Sequence, residues 1–216
     1  DTFTGRVYEC RPEPQSARAS LERMEITVVG SLNVDTTVRV VRHPAPGETV
    51  LGTGHFVDTG GKGANQAVAA ARLGHDVAMI GMVGDDPAGD LLRSVLSSEG
   101  VDTSGIGTAT GPGSGMAVIT VDANGENTIV VDPAANSALG VEHVERFGWL
   151  LRGSAVTLAQ LEIPMEAVAV AARRAGGRFV LNPAPAAVVP ADVMTRVTVL
   201  VPNLTELARL ASAAPP

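Results

Sequence analysis

The sequence is poor in cysteine and has no long apolar run, and each shortage excludes a class of protein. Its one cysteine, Cys10, can form neither an internal disulfide nor a multi-thiolate zinc site, which favours a reducing compartment. The longest apolar stretches, such as residues 67–71, are far too short to span a bilayer. We therefore expect a soluble, cytoplasmic protein with no membrane partner.

Positive charge is also scarce. Lys and Arg number 16 against 23 Asp and Glu, and the formal net charge is −7. Nucleic acids are bound by concentrated basic surfaces, whereas the basic residues here are scattered. The composition thus predicts no nucleic-acid partner. The hydrophobic content of 45% is enough to bury a substantial core.

The two ends of the chain differ from its middle. Residues 1–23 are polar, contain Pro12 and Pro14, and precede an apolar pattern that begins just after Met24. We expect residues 1–23 to be a disordered or non-native extension of a domain over residues 24–216, with an ordinary N-terminal extension as the alternative. A strand at residues 197–201 followed by a short helix is typical of the middle of an alternating fold, so we also expect the domain to be truncated.

Short apolar runs alternate with segments of helical periodicity. The predicted strands are residues 26–29, 77–80, 155–161, 179–181 and 197–201, and the predicted helices are residues 63–73, 87–98, 141–151 and 164–175. Such alternation predicts an α/β fold with a mostly parallel sheet flanked by helices on both faces. Four further short runs, with a hairpin signal at Asn124-Gly125, predict a small separate antiparallel sheet from residues 37–41, 52–57, 115–121 and 127–131.

A glycine-rich segment, Thr59 to Asn65, lies between a predicted strand and a helix. Its glycines would let a small ligand approach the backbone. It is not a Walker A loop, because Lys62 is followed by Gly63, and its glycine spacing does not fit a dinucleotide-binding loop. A turn needed only for tight strand-to-helix packing is an equally good explanation.

Polar side chains follow three predicted strands. Asn33 and Asp35 would project to the same side of an extended segment and could clamp vicinal hydroxyls, or they could form an Asx turn. Glu162 lies at the carboxyl end of a strand, where sheet ligands bind, but also suits a helix start. Asn203 and Glu206, three residues apart, could serve a hydrated Mg²⁺ and nucleotide phosphates, or could cap a helix.

Taken together, these segments resemble the ribokinase-like (PfkB) family of carbohydrate kinases. The resemblance runs from Ile26 to about Leu207, and its specific pieces are residues 29–35, 46–49, 60–67, 84–86, 125–127, 161–162, 181–185 and 203–206. Their number and order are more specific than any one of them.

The resemblance implies ATP-dependent phosphorylation of a pentose, D-ribose, with Mg²⁺ as cofactor and K⁺ as a further cation of the intact family protein. It implies sugar binding by Asn33, Asp35, Gly61, Lys62, Gly63, Ala64, Asn65 and Glu162. It further assigns Asn203 to the nucleotide and Glu206 to the metal. The small sheet, near residues 34–57 and 115–131, would form a lid over the sugar and could join two copies as a homodimer.

The sequence departs from the family pattern in two places. Pro133-Ala134-Ala135-Asn136 lacks the usual glycine before the alanine. The segment that carries the family's general-base Asp is absent after Asn203, and a similar piece at Asp1 to Gly5 lies at the wrong end. We therefore assign no catalytic residue and expect the chain alone to be inactive. Another sugar or nucleoside kinase of this family, and a non-catalytic sugar-binding protein, remain alternatives.

Overall fold

The computed structural model describes residues 24–213, and the predicted extension, with Cys10 and the Asp1 to Gly5 segment, lies outside them. In the described part, ten strands, β1 to β10, span Ile26–Val29, Asn33–Val40, Gly52–Gly60, Val77–Gly84, Asp102–Ala109, Gly115–Val121, Asn127–Asp132, Val156–Gln160, Arg178–Asn182 and Val199–Leu200. Seven α-helices, α1 to α7, span Lys62–Arg72, Pro87–Ser98, Val141–Arg146, Gly148–Gly153, Met165–Arg174, Ala191–Met194 and Leu204–Ala213, and a 3₁₀ helix spans Ala134–Ala138.

The main sheet has six strands in the order β10-β9-β8-β1-β4-β5, and all its pairings are parallel. Two apolar clusters of buried residues cover it. One cluster packs β1, β4 and β8 against α3, α4 and α5, and the other packs β1 and β4 against α1 and α2. A strand that is buried on both faces needs a continuous apolar run, as in β1 and β4. The predicted α/β architecture is confirmed.

Some local predictions were wrong. The helix predicted over residues 141–151 is broken at Phe147 into α3 and α4. Strand β5 was missed because Asp102–Ala109 has neither an apolar run nor clear alternation, and helix α6 was missed because it has only four residues.

The small sheet has four strands in the order β3-β2-β6-β7. The outer pairs, β2 with β3 and β6 with β7, are antiparallel, but β2 and β6 are parallel. The predicted purely antiparallel sheet was therefore wrong, and the sheet is mixed. The reason is topological: β2 follows the carboxyl end of β1 and β6 follows the carboxyl end of β5, so both strands leave the same edge of the main sheet in the same direction.

Within residues 24–213, no helix combines the length and the hydropathy needed to cross a bilayer.

Candidate functional site

A cavity of about 740 Å³ lies at the carboxyl edge of the main sheet, where the small sheet begins. Four predicted site residues line it: Asn33 at the start of β2, Lys62 at the start of α1, Glu162 shortly after β8, and Glu206 in α7. Asn136 and Ser137 of the 3₁₀ helix add further polar groups. Ile129 and Val131 of β7 contribute an apolar wall. The fold thus gathers four of the predicted site residues around one opening, as expected for ligands of parallel sheets.

Glycines bring helix α1 against the chain that leaves β1. Gly61 has a positive φ of 87°, and a Cβ there would lie 2.8 Å from the Ser31 carbonyl oxygen. A Cβ on Gly63 would lie 2.7 Å from the backbone carbonyl carbon of Gly30. Only glycine allows this approach at both positions. The packing explanation of the glycine-rich segment is thereby supported, and its ligand contacts remain predictions.

Glu162 is tied to the first turn of α1. Its Oε2 accepts a hydrogen bond from the Ser31 hydroxyl at 2.5 Å and another from the Lys62 backbone N–H at 3.1 Å. Its Oε1 lies 3.9 Å from the Lys62 ammonium. An acidic group beside the amino end of a helix is favourable. Glu162 therefore does serve a helix start, but that of α1 and not of the helix that follows it in sequence.

Asp35 lies two residues beyond Asn33 on β2 and does not itself line the cavity, but its carboxyl group has unusual surroundings. Its Oδ1 is buried without a hydrogen-bond partner among residues 24–213. Burial raises the pKa of the Asp35 carboxyl above its ordinary value, and the negative charges of Glu162 and Asp58 raise it further. A buried acceptor without a partner is unfavourable until something donates to it. The Asp35 carboxylate also lies against Gly60, where any Cβ would overlap it.

Asn33 is held by Asn136, the last residue of the Pro133 to Asn136 segment that lacks the family's usual glycine. The Asn136 side chain donates to the Asn33 Oδ1 at 2.8 Å and to the Leu32 carbonyl at 3.0 Å, and it accepts from the Leu32 N–H at 2.9 Å. Both asparagines are buried. No local signal in the sequence indicates this contact, because it joins residues 104 positions apart.

Asn203 and Glu206 pair with each other at the start of α7. The Asn203 backbone N–H and side-chain amide donate to the two Glu206 carboxylate oxygens at 2.8 and 2.9 Å, and the Glu206 N–H donates to the Asn203 Oδ1 at 2.8 Å. This is a reciprocal capping arrangement. Glu206 also lines the cavity, so the nucleotide and metal roles remain predictions beside the capping role. Within residues 24–213, His, Cys, Asp and Glu form no cluster of three or more that could hold a metal ion.

Six predicted residues do not line the cavity, namely Asp35, Gly61, Gly63, Ala64, Asn65 and Asn203. Two of them, Ala64 and Asn65, have surroundings of a different kind. The side chain of Ala64 is buried in the apolar cluster beneath α1, and its N–H donates to the Ser31 carbonyl at 3.0 Å. Asn65 is exposed and lines a different groove, between β3 and helices α1 and α2. The structure therefore gives Ala64 a packing role, and the sugar contacts proposed for Ala64 and Asn65 remain predictions.

Comparison with known proteins gives concordant matches. The sequence pattern of the pfkB family carbohydrate kinases matches residues 23–215. A ribokinase from Haemophilus influenzae is 41% identical over 187 residues, which cover 85% of this chain and 61% of that protein.

Two solved structures extend the comparison to three dimensions. A ribokinase from Thermotoga maritima aligns with a TM-score of 0.81 at 34% identity, over 88% of this chain and 62% of that one. An Arabidopsis thaliana ribokinase complexed with ribose and ATP aligns with a TM-score of 0.77 at 29% identity, over 88% of this chain and 63% of that one. The chain thus spans just over three fifths of the length of these proteins.

Proposed function

Because the chain belongs to the pfkB family of carbohydrate kinases, we propose that it supplies the sugar-binding part of a ribokinase, which phosphorylates D-ribose with ATP. The observation that carries the proposal is the buried Oδ1 of Asp35, which has no hydrogen-bond partner among residues 24–213 and lies two residues from Asn33 on β2. A hydroxyl group both donates and accepts hydrogen bonds, so a polyol is the ligand that satisfies such a pair.

The proposal assigns sugar contacts to Asp35 and Asn33 and a positioning role to Glu162. Asp35 accepts a hydrogen bond from one sugar hydroxyl, and that bond compensates the burial that raises the pKa of Asp35. Asn33 contacts the neighbouring hydroxyl. Glu162 holds the first turn of α1 in position through Ser31 and Lys62, so that Lys62 stays at the cavity. We do not assign the base that takes the proton from the reacting hydroxyl.

The small sheet would act as a lid. Ile129 and Val131 on β7 already line the cavity, and their apolar surface would cover the carbon side of a bound sugar. A closed lid keeps water away from the phosphate donor, which matters because water competes with the sugar as acceptor.

ATP, Mg²⁺ and K⁺ belong to the proposed whole reaction. Each Glu206 oxygen accepts one hydrogen bond from Asn203 and retains a lone pair, so Glu206 can orient the water shell of Mg²⁺. When bound, that ion would neutralise charge on the nucleotide phosphates. Asn203 would lie on the nucleotide side. We assign no residue to K⁺, and the cytoplasmic location stays a prediction from the cysteine content.

Calorimetric titration of the purified chain with D-ribose tests the proposal. We expect Asp35→Ala to weaken ribose binding by about 10- to 100-fold, because it removes a charged acceptor. The control, Asp90→Ala, removes an exposed carboxylate on α2 and should leave ribose affinity unchanged. A wild-type chain that does not bind ribose would overturn the proposal.

Two further assays on the same preparation address the alternatives. Formation of ribose 5-phosphate in the presence of ATP and Mg²⁺ measures whether this chain performs the reaction or only binds its acceptor. Titration with 2-deoxyribose and with a nucleoside compares the other family substrates. A nucleoside that binds more tightly than ribose would replace ribose in the proposal.

We also propose that the small sheet joins two copies of the chain as a homodimer. Apolar side chains are exposed on both of its faces, including Phe56 and Ile129 on one face and Val118 and Val130 on the other. Patches of this kind mark interaction surfaces.

Sedimentation velocity of two matched variants tests the dimer. Val130→Asp in the small sheet should yield monomers, whereas Val188→Asp, on a residue of similar exposure outside that sheet (74% against 72%), should not. Ile129→Asp, one position along β7, then reports which face is used. A wild-type monomer at high concentration would contradict the proposal.

A further inference from the structure

The contact between Asn136 and Asn33 determines which end of the Asn33 amide faces the cavity. An asparagine amide presents an acceptor at one end and two donor hydrogens at the other, and the two ends have the same shape. Which end meets the ligand therefore decides what the ligand must offer.

The backbone of Leu32 fixes the orientation of the Asn136 amide. The Leu32 N–H needs an acceptor and the Leu32 carbonyl needs a donor, so the Asn136 Oδ1 must face the former and its Nδ2 the latter. The second hydrogen on the Asn136 Nδ2 then points to Asn33, at 2.8 Å. Only the Oδ1 of Asn33 can accept it, and the Asn33 Nδ2 is left without a partner among residues 24–213.

Gly115 makes room for this contact. It pairs with Asn33 across the parallel β2–β6 ladder. A Cβ on Gly115 would overlap both the Asn136 Nδ2 and the Asn33 Oδ1. Asn136 is only 1% exposed and Asn33 only 3% exposed, so in the wild-type chain the hydrogen bonds to Leu32 fix the orientation of both amides.

We propose that Asn136 is a positioning residue that turns the Asn33 amide so that its NH₂ group faces the cavity and donates to a sugar hydroxyl. The proposal rests on the proposed sugar site and adds a specificity to it. Asn33 then requires an acceptor oxygen and the neighbouring Asp35 Oδ1 requires a donor hydrogen, so the site recognises two adjacent hydroxyls with a fixed direction of hydrogen bonding.

The first test is the isosteric variant Asn136→Asp. It retains an oxygen for the Leu32 N–H but removes the NH₂ group, so Asn33 can turn, donate to the new carboxylate and present its own oxygen to the cavity. We expect ribose affinity measured by calorimetry to fall by about 10-fold. Asn182→Asp is the matched control, because it removes an amide that donates to a backbone carbonyl, that of Val201, outside the cavity. It should leave ribose affinity unchanged.

A double-mutant cycle separates positioning from structural support. If Asn136 acts through Asn33, the double variant Asn33→Ala/Asn136→Asp should bind ribose as weakly as Asn33→Ala alone. Losses that multiply would overturn the proposal. If Asn136→Asp does not fold, Gly115→Ala takes its place in the same cycle, with the same two outcomes.

A ligand-free measurement keeps this proposal distinct from the sugar site itself. In the wild-type chain both hydrogens of the Asn136 side-chain amide are bonded, so NMR should show slow exchange for both, and Asn33→Ala should release one of them. This result, in a chain that does not bind ribose, would support the orientation and reject the substrate. Fast exchange of both hydrogens in the wild-type chain would overturn the orientation even if ribose binds.

Discussion

Strands β4 and β7 carry apolar residues of similar kind in opposite surroundings. All eight residues of β4, in the main sheet, are buried, whereas all six residues of β7, in the small sheet, are exposed. The main sheet is covered by helices on both faces, but β7 is an outer strand of a sheet that stands away from the core. Apolar character therefore identified both as strands, while burial depended on what covers them.

The two sheets consequently have different tasks. The main sheet carries the stability of the domain, because burial of apolar area is the main stabilising term. The small sheet contributes apolar surface that is free to meet a ligand or a second copy. Substitutions of the same kind should therefore have unequal effects in the two sheets.

The largest difference is expected from a matched pair of isoleucines. Ile80 in β4 is 0% exposed, and Ile129 in β7 is 52% exposed. Ile80→Ala should lower the free energy of unfolding by about 2–5 kcal/mol through lost burial and a cavity, and Ile129→Ala by about 1 kcal/mol or less. Urea unfolding at pH 7 measures both, with Ile80→Val as a milder substitute for an unstable Ile80→Ala. Equal losses would show that the small sheet is as well supported as the main one.

The second largest difference in stability is expected from a matched pair of glycines, one packed against the main sheet and one in the small sheet. A Cβ on Gly63 would collide with the backbone at Gly30 and Ser31, so Gly63→Ala should force α1 away from the main sheet and lower the free energy of unfolding by about 1–3 kcal/mol. Gly54 in β3 has open space around it, and Gly54→Ala should change that energy by less than about 0.5 kcal/mol. Thermal unfolding measures the stability of the two variants. A Gly63→Ala variant as stable as the wild-type chain would mean that α1 can shift without loss of stability.

The smallest effect concerns the connection between the two sheets. Asp86, at the start of α2, accepts hydrogen bonds from the Gly89 N–H and from the N–H and hydroxyl of Ser114, which precedes β6. These bonds hold the pKa of Asp86 below its ordinary value of 3.8, with the Ser114 hydroxyl as the largest cause. The stability that they supply is present above pH 3.8 and is lost as the pH falls through the lowered pKa.

Asp86→Asn should therefore lower the free energy of unfolding by about 1 kcal/mol at pH 7, and the difference from wild type should shrink below pH 3.8. Urea unfolding over this pH range measures it. Asp85→Asn, at the exposed neighbouring position, is the control and should change little. A difference for Asp86→Asn that does not depend on pH would assign the effect to shape and not to charge.

Much of the fold could be predicted because its signals are local. The apolar runs of β1 and β4 and the Asp86-Pro87 start of α2 are read from a few neighbouring residues. The parallel direction of β6 beside β2 could not be predicted in this way, because alternation along a strand does not specify its partner. It depends on where each strand leaves the main sheet.

The candidate site divides in the same way. The positions of Asn33 and Glu162 at the cavity could be predicted, because both are polar residues that follow strands. The role of Asn136 did not, because its partners, Leu32 and Asn33, are distant in sequence. The different surroundings of Lys62 and Asn65 were also missed, because helix α1 turns its consecutive residues toward the cavity, the core and a separate groove.

The parallel pairing of β2 with β6 also bears on how the chain folds. Residue Asn33 aligns with Gly115, and the chain between them forms β3, α1, β4, α2 and β5. Closing so long a loop is entropically costly until its contents are ordered, and such non-local pairings slow folding. We therefore expect the β2–β6 ladder to form late, after β1, β4 and β5 are aligned, so that its amides gain protection in the slowest phase of refolding.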